Sequence, residues 1–256
     1  MFYNIIDTDV SNIDFNQKRS LSHNLKLLKD YKETSKLVTI KTFKKGTILF
    51  KERHPVNGVY FILDGIVKIY NECNARKQNT LRFVTKGDIV GISSLNSSYY
   101  MASAVVVKPT KAYFINQKNL KSILKENGKL NFILVNFLSM KLRFQEIRHK
   151  HLSLFLAEDR IIDALLLTAY KFGEKTKEGL EISIGAARKD IASLASTSTE
   201  KVIRTISTLN RQKVISKKGR HIIINDEKKL LANLTKYFKL PEGITENNLS
   251  YPNLFY

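Results

Sequence analysis

Between Val38 and Ile115 the chain repeats one pattern: a short run rich in β-branched and aromatic residues, then a turn signal. The runs are Thr47–Phe50, Val59–Leu63, Ile66–Tyr70, Thr80–Val84 and Ala104–Val107. Lys45-Gly46, Asn57-Gly58, Asp64-Gly65, Lys86-Gly87-Asp88 and Gly91 punctuate them. Runs this short, bounded by glycine, are strands rather than helices. Many short, evenly spaced strands close into a small antiparallel roll or barrel, with an interior that is packed or holds one small ligand. Asp64-Gly65 between two apolar runs predicts a hairpin turn. Upstream, residues 1–35 are polar, with a helical lead-in around Leu21, Leu25 and Leu28.

The period then changes from two to between three and four. From Lys129 to Phe155, the residues Ile133, Phe137, Met140, Phe144, Ile147, His151 and Leu154 alternate spacings of four and three. That is the seam of a coiled coil and predicts a homodimer, with intramolecular core as the alternative. Leu130, Leu134, Leu138 and Leu142 make a second stripe, expected to dock on the roll. Ala157–Phe172 reads as a further helix with Ile161, Leu165 and Leu166 inside. Gly173–Gly179 reads as a charged loop, Glu181–Ile184 as a strand, and Lys228–Phe238 as a closing helix. The last residues, with two prolines and three aromatic rings, read as a frayed or loosely docked tail; a partner-binding peptide is the alternative.

The stretch Arg188–Arg220 carries the chemistry. A short amphipathic helix turns Ile191 and Leu194 inward, Ser196 and Thr197 form a small turn, and a longer helix starts at Ser198. Ser198 caps that helix by accepting a first-turn N–H. Val202, Ile206 and Leu209 line its apolar face, while Thr199, Glu200, Lys201 and Arg204 lie on or beside the solvent face. Two helices joined by so tight a turn form a helix-turn-helix, whose second helix enters the DNA major groove. Val214–Ser216 and His221–Ile224 then flank Lys217-Lys218-Gly219-Arg220, a basic hairpin in the position of a wing. Nine residues of this stretch are Lys or Arg, against two acidic ones, Asp190 and Glu200. A solvated basic helix followed by a hairpin is the bland alternative; the order of the four pieces argues against it.

Over its 256 residues the chain carries a formal charge of +20, which favours a polyanionic partner. No apolar run is long enough to span a bilayer, and the N-terminus lacks a secretory pattern, so the expected location is cytoplasmic, with no membrane partner. The single cysteine, Cys73, excludes an internal disulfide and any all-cysteine zinc or iron–sulfur site within one chain. No metal site or other cofactor is expected; the scattered histidines His23, His54, His149 and His151 are a weak basis for haem.

In order, these pieces resemble the cyclic-AMP receptor protein and fumarate–nitrate regulator (Crp/Fnr) superfamily of bacterial transcription factors, from about Thr42 to Leu230. The resemblance is carried by Lys45–Phe50, Val59–Gly65, Lys86–Gly91 and Ser198–Arg204. It implies an α+β chain that is not an enzyme. A β-roll of the cyclic-nucleotide-binding type (1–127) would precede a dimerisation helix (128–156), a winged helix-turn-helix (157–235) and a tail (236–256). The implied function is a homodimeric transcription regulator on double-stranded, near-palindromic DNA, with RNA polymerase a further partner where it activates.

Thr199, Glu200, Lys201 and Arg204 would read bases; a carboxylate accepts from cytosine N4 and a guanidinium pairs with guanine. Arg188, Lys189, Ser198, Lys217, Lys218 and Arg220 would hold phosphates, which positions without specifying sequence. The resemblance places the effector pocket at Gly91, Ile92, Ser93, Ala102 and Ser103. Cyclic-nucleotide binders of the family carry a Glu where Ile92 stands and an Arg where Ala102 stands, so cyclic-AMP binding in the usual manner is not expected. Ser196 replaces a turn glycine, and Ala187 replaces a capping Ser or Thr. The alternatives are a nonspecific nucleic-acid binder and, further off, a cupin-like small-molecule protein, which would need a metal-binding histidine cluster.

Overall fold

The computed structural model describes residues 37–74, 77–183 and 187–237. The lead-in around Leu21 therefore lies outside the described residues. The strand-rich half is one antiparallel sheet. Its strands are β1 (Val38–Phe43), β2 (Ile48–Phe50), β3 (Gly58–Asn74), β4 (Lys77–Val84), β5 (Ile89–Val90) and β6 (Ser103–Asn116). The order is β1-β6-β3-β4, with β2 also on β6 and β5 also on β3.

Strand β3 does not turn back at Asp64-Gly65, as the sequence led us to expect. It runs on for 17 residues, and its pairing with β6 shifts register around Asp64 and Ile66. Gly65 has φ of +96°, and a Cβ there would lie 2.3 Å from the Pro109 carbonyl oxygen. The glycine makes a bulge that bends a long strand. A glycine between two apolar runs announces either a bulge or a hairpin, and the length of the partner strand decides between them.

Helix α1 (Gln117–Glu126) is capped by the Asn116 side chain, which accepts the Asn119 N–H. Helix α2 (Gly128–Leu154) is capped in the same way by Asn127. The two ends of α2 serve different cores. Leu130 and Phe137 are buried with Val59 and Ile115 of the roll and Ile123 of α1, and Leu134 and Met140 pack beside them. Further along, Phe144 and Ile147 pack on the core of the C-terminal half, and His151 is buried there at 1% exposure.

Much of the expected dimer seam is covered within its own chain. Phe137 and His151 are buried within their own chain, and Met140, Phe144 and Ile147 are partly covered by it. The side chain of Ile133 lies outside the described set. The apolar face left in solvent is Phe132, Val135, Leu138 and Leu142, exposed by 68, 62, 42 and 62%. Leu138 and Leu142 do not dock on the roll. Because α2 is apolar on more than one side, spacing alone does not tell which stripe turns inward.

The C-terminal half begins with α3 (Ala157–Phe172), followed by β7 (Glu174–Thr176) and β8 (Gly179–Ile182), so the expected charged loop is half of a hairpin. Then come α4 (Arg188–Leu194), α5 (Thr199–Arg211), β9 (Ile215–Lys218), β10 (His221–Ile224) and α6 (Glu227–Thr235). The second sheet has the order β7-β8-β10-β9. Ile161, Leu165, Ile191, Val202, Ile206 and Ile222 centre its core, which also takes in Ile66 and Phe83 of the roll. The end of the expected closing helix is docked: Tyr237 stacks on Phe155 at 4.3 Å, and Lys236 pairs with Asp159 at 2.9 Å. The tail beyond them lies outside the described residues.

At the centre of this half Asp163, 1% exposed, binds the Arg148 guanidinium and sits 3.2 Å from His151 Nδ1. Removing one partner of a buried ion pair leaves the other charge uncompensated, typically at about 3–5 kcal/mol. Asp163→Ala is expected to lose about that much in chemical denaturation, whereas Asp190→Ala, at a less buried site, loses less.

Candidate nucleic-acid interface

The two helices that form the interface are held at their junction by arginines from below. Arg148 Nη2 donates to the Leu194 carbonyl at 2.9 Å, and Arg160 Nε donates to the Ala195 carbonyl at 2.8 Å. Both cations meet the C-terminal end of α4, where helix carbonyls have no partner of their own. The turn that follows is a Schellman motif. The Ser196 N–H bonds the Ser193 carbonyl at 3.1 Å, and the Thr197 N–H bonds the Ala192 carbonyl at 2.9 Å. Ser196 accordingly takes φ of +47°, the conformation in which a glycine was missed in the sequence.

Ser198 then caps α5 by accepting the Lys201 N–H at 3.1 Å, as its sequence position indicates. Ala187 offers α4 no side-chain cap. The far end of α5 repeats the Schellman pattern. The Lys213 N–H bonds the Asn210 carbonyl at 3.0 Å, the Val214 N–H bonds the Leu209 carbonyl at 3.1 Å, and Lys213 takes φ of +58°. No glycine marks that second turn, so nothing in the sequence pointed to it.

With both ends fixed, Val202, Ile206 and Leu209 are buried, and Thr199, Glu200 and Arg204 are exposed side by side. Ile203 shares their face at 49% exposure. Sequence reading passed over this residue because an isoleucine beside Val202 looks like core. Lys201 behaves differently from its three expected companions: its Nζ lies 2.6 Å from Glu158 of α3. Exposed pairs of this kind contribute about 0–1 kcal/mol. In the wing, Lys217, Lys218 and Arg220 are exposed, with Lys217 and Lys218 on β9 and the turn reduced to Gly219-Arg220. Lys189 is exposed, and Arg188 is half-buried, which lowers its pKa through desolvation. The whole unit is latched to the roll by Asp190 of α4, which accepts the Thr80 hydroxyl at 2.6 Å and lies 3.5 Å from Lys68 Nζ.

The five expected effector residues sit in different surroundings. Ile92 packs on the cluster of Val59 and Ile115, whereas Ala102 packs on that of Phe50 and Tyr60. Ser93 is exposed, and Ser103 is buried with its Oγ accepting the Glu52 N–H at 2.9 Å. Rings fill the roll beside Gly91. Phe50 and Tyr100 stack at 3.8 Å, and Tyr60 adjoins Phe43 and Phe114 at 5.8 and 5.0 Å. Burial pushes the Tyr60 phenol up to about 12. Among the described residues no three His, Cys, Asp or Glu side chains are grouped to hold a metal.

Comparison with known proteins matches residues 40–127 to the cyclic nucleotide-binding domain and residues 159–232 to the Crp-like helix-turn-helix domain. The anaerobic regulatory protein of Bacillus subtilis (strain 168) is 28% identical over 188 residues, 73% of this chain and 79% of that protein. The chain belongs to the Crp/Fnr family of transcription regulators. The global nitrogen regulator of a Nostoc species is 25% identical over 69% of this chain and 81% of its own. Among solved structures, a CRP/FNR transcriptional regulator from Thermus thermophilus superposes with a TM-score of 0.67 at 20% identity. That alignment covers 76% of this chain and 97% of that one. FixK2 from Bradyrhizobium japonicum gives 0.64 at 20% identity, covering 76% and 96%.

In this Crp/Fnr regulator Arg148 and Arg160, which support the interface, escaped sequence reading because each acts on backbone carbonyls distant in the chain, and Lys213 because no glycine marks its turn. Two consequences can be measured. Ser196→Gly is expected to raise stability by about 1 kcal/mol, because glycine takes positive φ without steric cost. Ser198→Ala is expected to lower it by about 1 kcal/mol through loss of the cap. Denaturant midpoints moving in the opposite directions would contradict the two assignments.

Proposed function

We propose that this regulator is a homodimer that binds a near-palindromic operator in double-stranded DNA, each subunit laying α5 in a major groove. The observation that carries the reading is the shared exposure of Thr199, Glu200, Ile203 and Arg204 on one face of a helix whose opposite face is buried. Glu200 and Arg204, four residues apart, match the carboxylate and guanidinium chemistry of cytosine and guanine edges. Ile203 adds an apolar contact for a thymine methyl. Lys201, freed from Glu158, reaches toward the same groove. Arg188, Lys189, Ser198, Lys217, Lys218 and Arg220 fix the register on phosphates.

Dimerisation is assigned to the exposed stripe of α2. Val135, Leu138 and Leu142 keep the three-four spacing of a seam, and a second copy of α2 is the partner whose stripe matches it. Paired subunits would present α5 to half-sites about one helical turn apart. Activation would add a contact to RNA polymerase. The roll is read as independent of cyclic nucleotides bound in the usual way. Ile92 and Ala102 offer no carboxylate for a ribose and no cation for a phosphate, and a buried phosphate without its cation is strongly disfavoured. The ring cluster of Phe50, Tyr60 and Tyr100 supports the same reading.

Selection of bound duplexes from a random pool at physiological salt tests the proposal: a palindrome should be enriched, and a flat outcome would mark a nonspecific binder. On the selected site Arg204→Ala is expected to cost about 1–3 kcal/mol and relax one base position, while Lys217→Ala weakens all sequences alike. Leu138→Asp should convert dimer to monomer in sedimentation. Phe144→Asp should instead destabilise the fold, because Phe144 packs within its own subunit.

A further inference from the structure

Strand β4, helices α2 and α3, and the end of α4 line a cavity of about 40 Å³ where the roll, the long helix and the DNA-binding domain meet. Three cations stand in its wall: Arg82 from β4, Arg148 from α2 and Lys171 from α3. The carboxylates nearest to them are already engaged. Asp163 holds Arg148 and His151. Asp88 lies 2.5 Å from Lys141 Nζ and accepts the Thr85 N–H at 3.0 Å. Among the described residues, no hydrogen-bond acceptor is paired with the Arg82 guanidinium or the Lys171 ammonium; Lys171 lies 5.2 Å over the Phe144 ring.

A group of partly desolvated cations that outnumbers its carboxylates is costly; here Asp88 is the carboxylate that acts on both Arg82 and Lys171. Burial accordingly holds the Lys171 amine down to about 8; Asp88 opposes that shift, while Lys141, Arg82 and Arg148 reinforce it. A polar cavity needs roughly 10–15 Å³ to admit one water, so this one has room for more. We propose that the junction binds an oxyanion of phosphate size, held by Arg82, Arg148 and Lys171. Such an anion adds to the negative charge that Asp88 already provides and bridges the roll to the DNA-binding domain, so its occupancy is linked to how the two are docked. The same chemistry comes from free phosphate or from the phosphoryl group of a small metabolite. An open groove of about 520 Å³ shares Lys171 and Phe172 with the cavity and adds Lys45 and Lys108, space for the rest of such a molecule.

The test is thermal unfolding of the full chain with inorganic phosphate, and separately with a sugar phosphate, against chloride at equal ionic strength. Saturating phosphate should raise the wild-type Tm by at least about 2 °C. Lys171→Met, which replaces a partly desolvated charge with a chain of similar shape, should melt no lower than wild type without phosphate and lose the shift. Arg82→Gln should reduce the shift. The double variant Lys217→Ala, Lys218→Ala should keep it, since DNA-backbone clamps are a separate anion site. A sugar phosphate active at tenfold lower concentration would assign the site to a metabolite; equal potency would assign it to free phosphate. No wild-type shift beyond chloride, a full shift in both cavity variants, or a shift lost in the wing variant would each overturn the proposal.

Discussion

Everything presented toward DNA depends on one buried carboxylate. Asp163 holds Arg148, and Arg148 in turn holds the last carbonyl of α4 at Leu194. One side chain on α3 thus ties the long helix to the turn between α4 and α5. Arg160, also on α3, fixes the next carbonyl, at Ala195. The turn needs this support. It contains a serine in a backbone conformation that disfavours any side chain, and the arginines satisfy carbonyls that the tight turn leaves without helical partners. The sequence would otherwise permit several arrangements of two short amphipathic helices; the arginine bonds select one.

Around that turn, structure converts charge into position. A net charge of +20 spread over a surface would attract DNA in any orientation. The wing, the start of α4 and the outer face of α5 instead collect exposed basic groups beside a helix that displays one carboxylate, one guanidinium and one branched apolar side chain. Glu158 holds Lys201 against α3.

Much of this was legible in the sequence, because the relevant signals are local. Ser198, Val202, Ile206 and Leu209 fixed the phase of α5, and the glycine-punctuated runs announced the roll. Where sequence reading failed, the deciding information lay elsewhere in the chain. Asp64-Gly65 looked like a hairpin because the continuing partner, β6, is about 40 residues away. Which stripe of α2 its own chain covers was not legible, because a helix apolar on more than one side has no unique inward face, and two separate cores decide it. Ile203 was hidden by resemblance to its buried neighbours. For the cations of the interdomain cavity, Arg82, Arg148 and Lys171, no spacing rule relates residues on three different elements.

Ile66 and Phe83 belong by chain position to the roll, yet they complete the core of the DNA-binding half, as Phe144 and Ile147 of α2 also do. The boundary between the two halves is therefore a boundary in sequence but not in packing. Separating them would strip apolar cover from both pieces, so the two are coupled in stability. For inheritance this creates an asymmetry. A new operator can be acquired by exchanging a few exposed residues on α5, whereas exchanging the whole reading module would require the donor's matching surface on the roll.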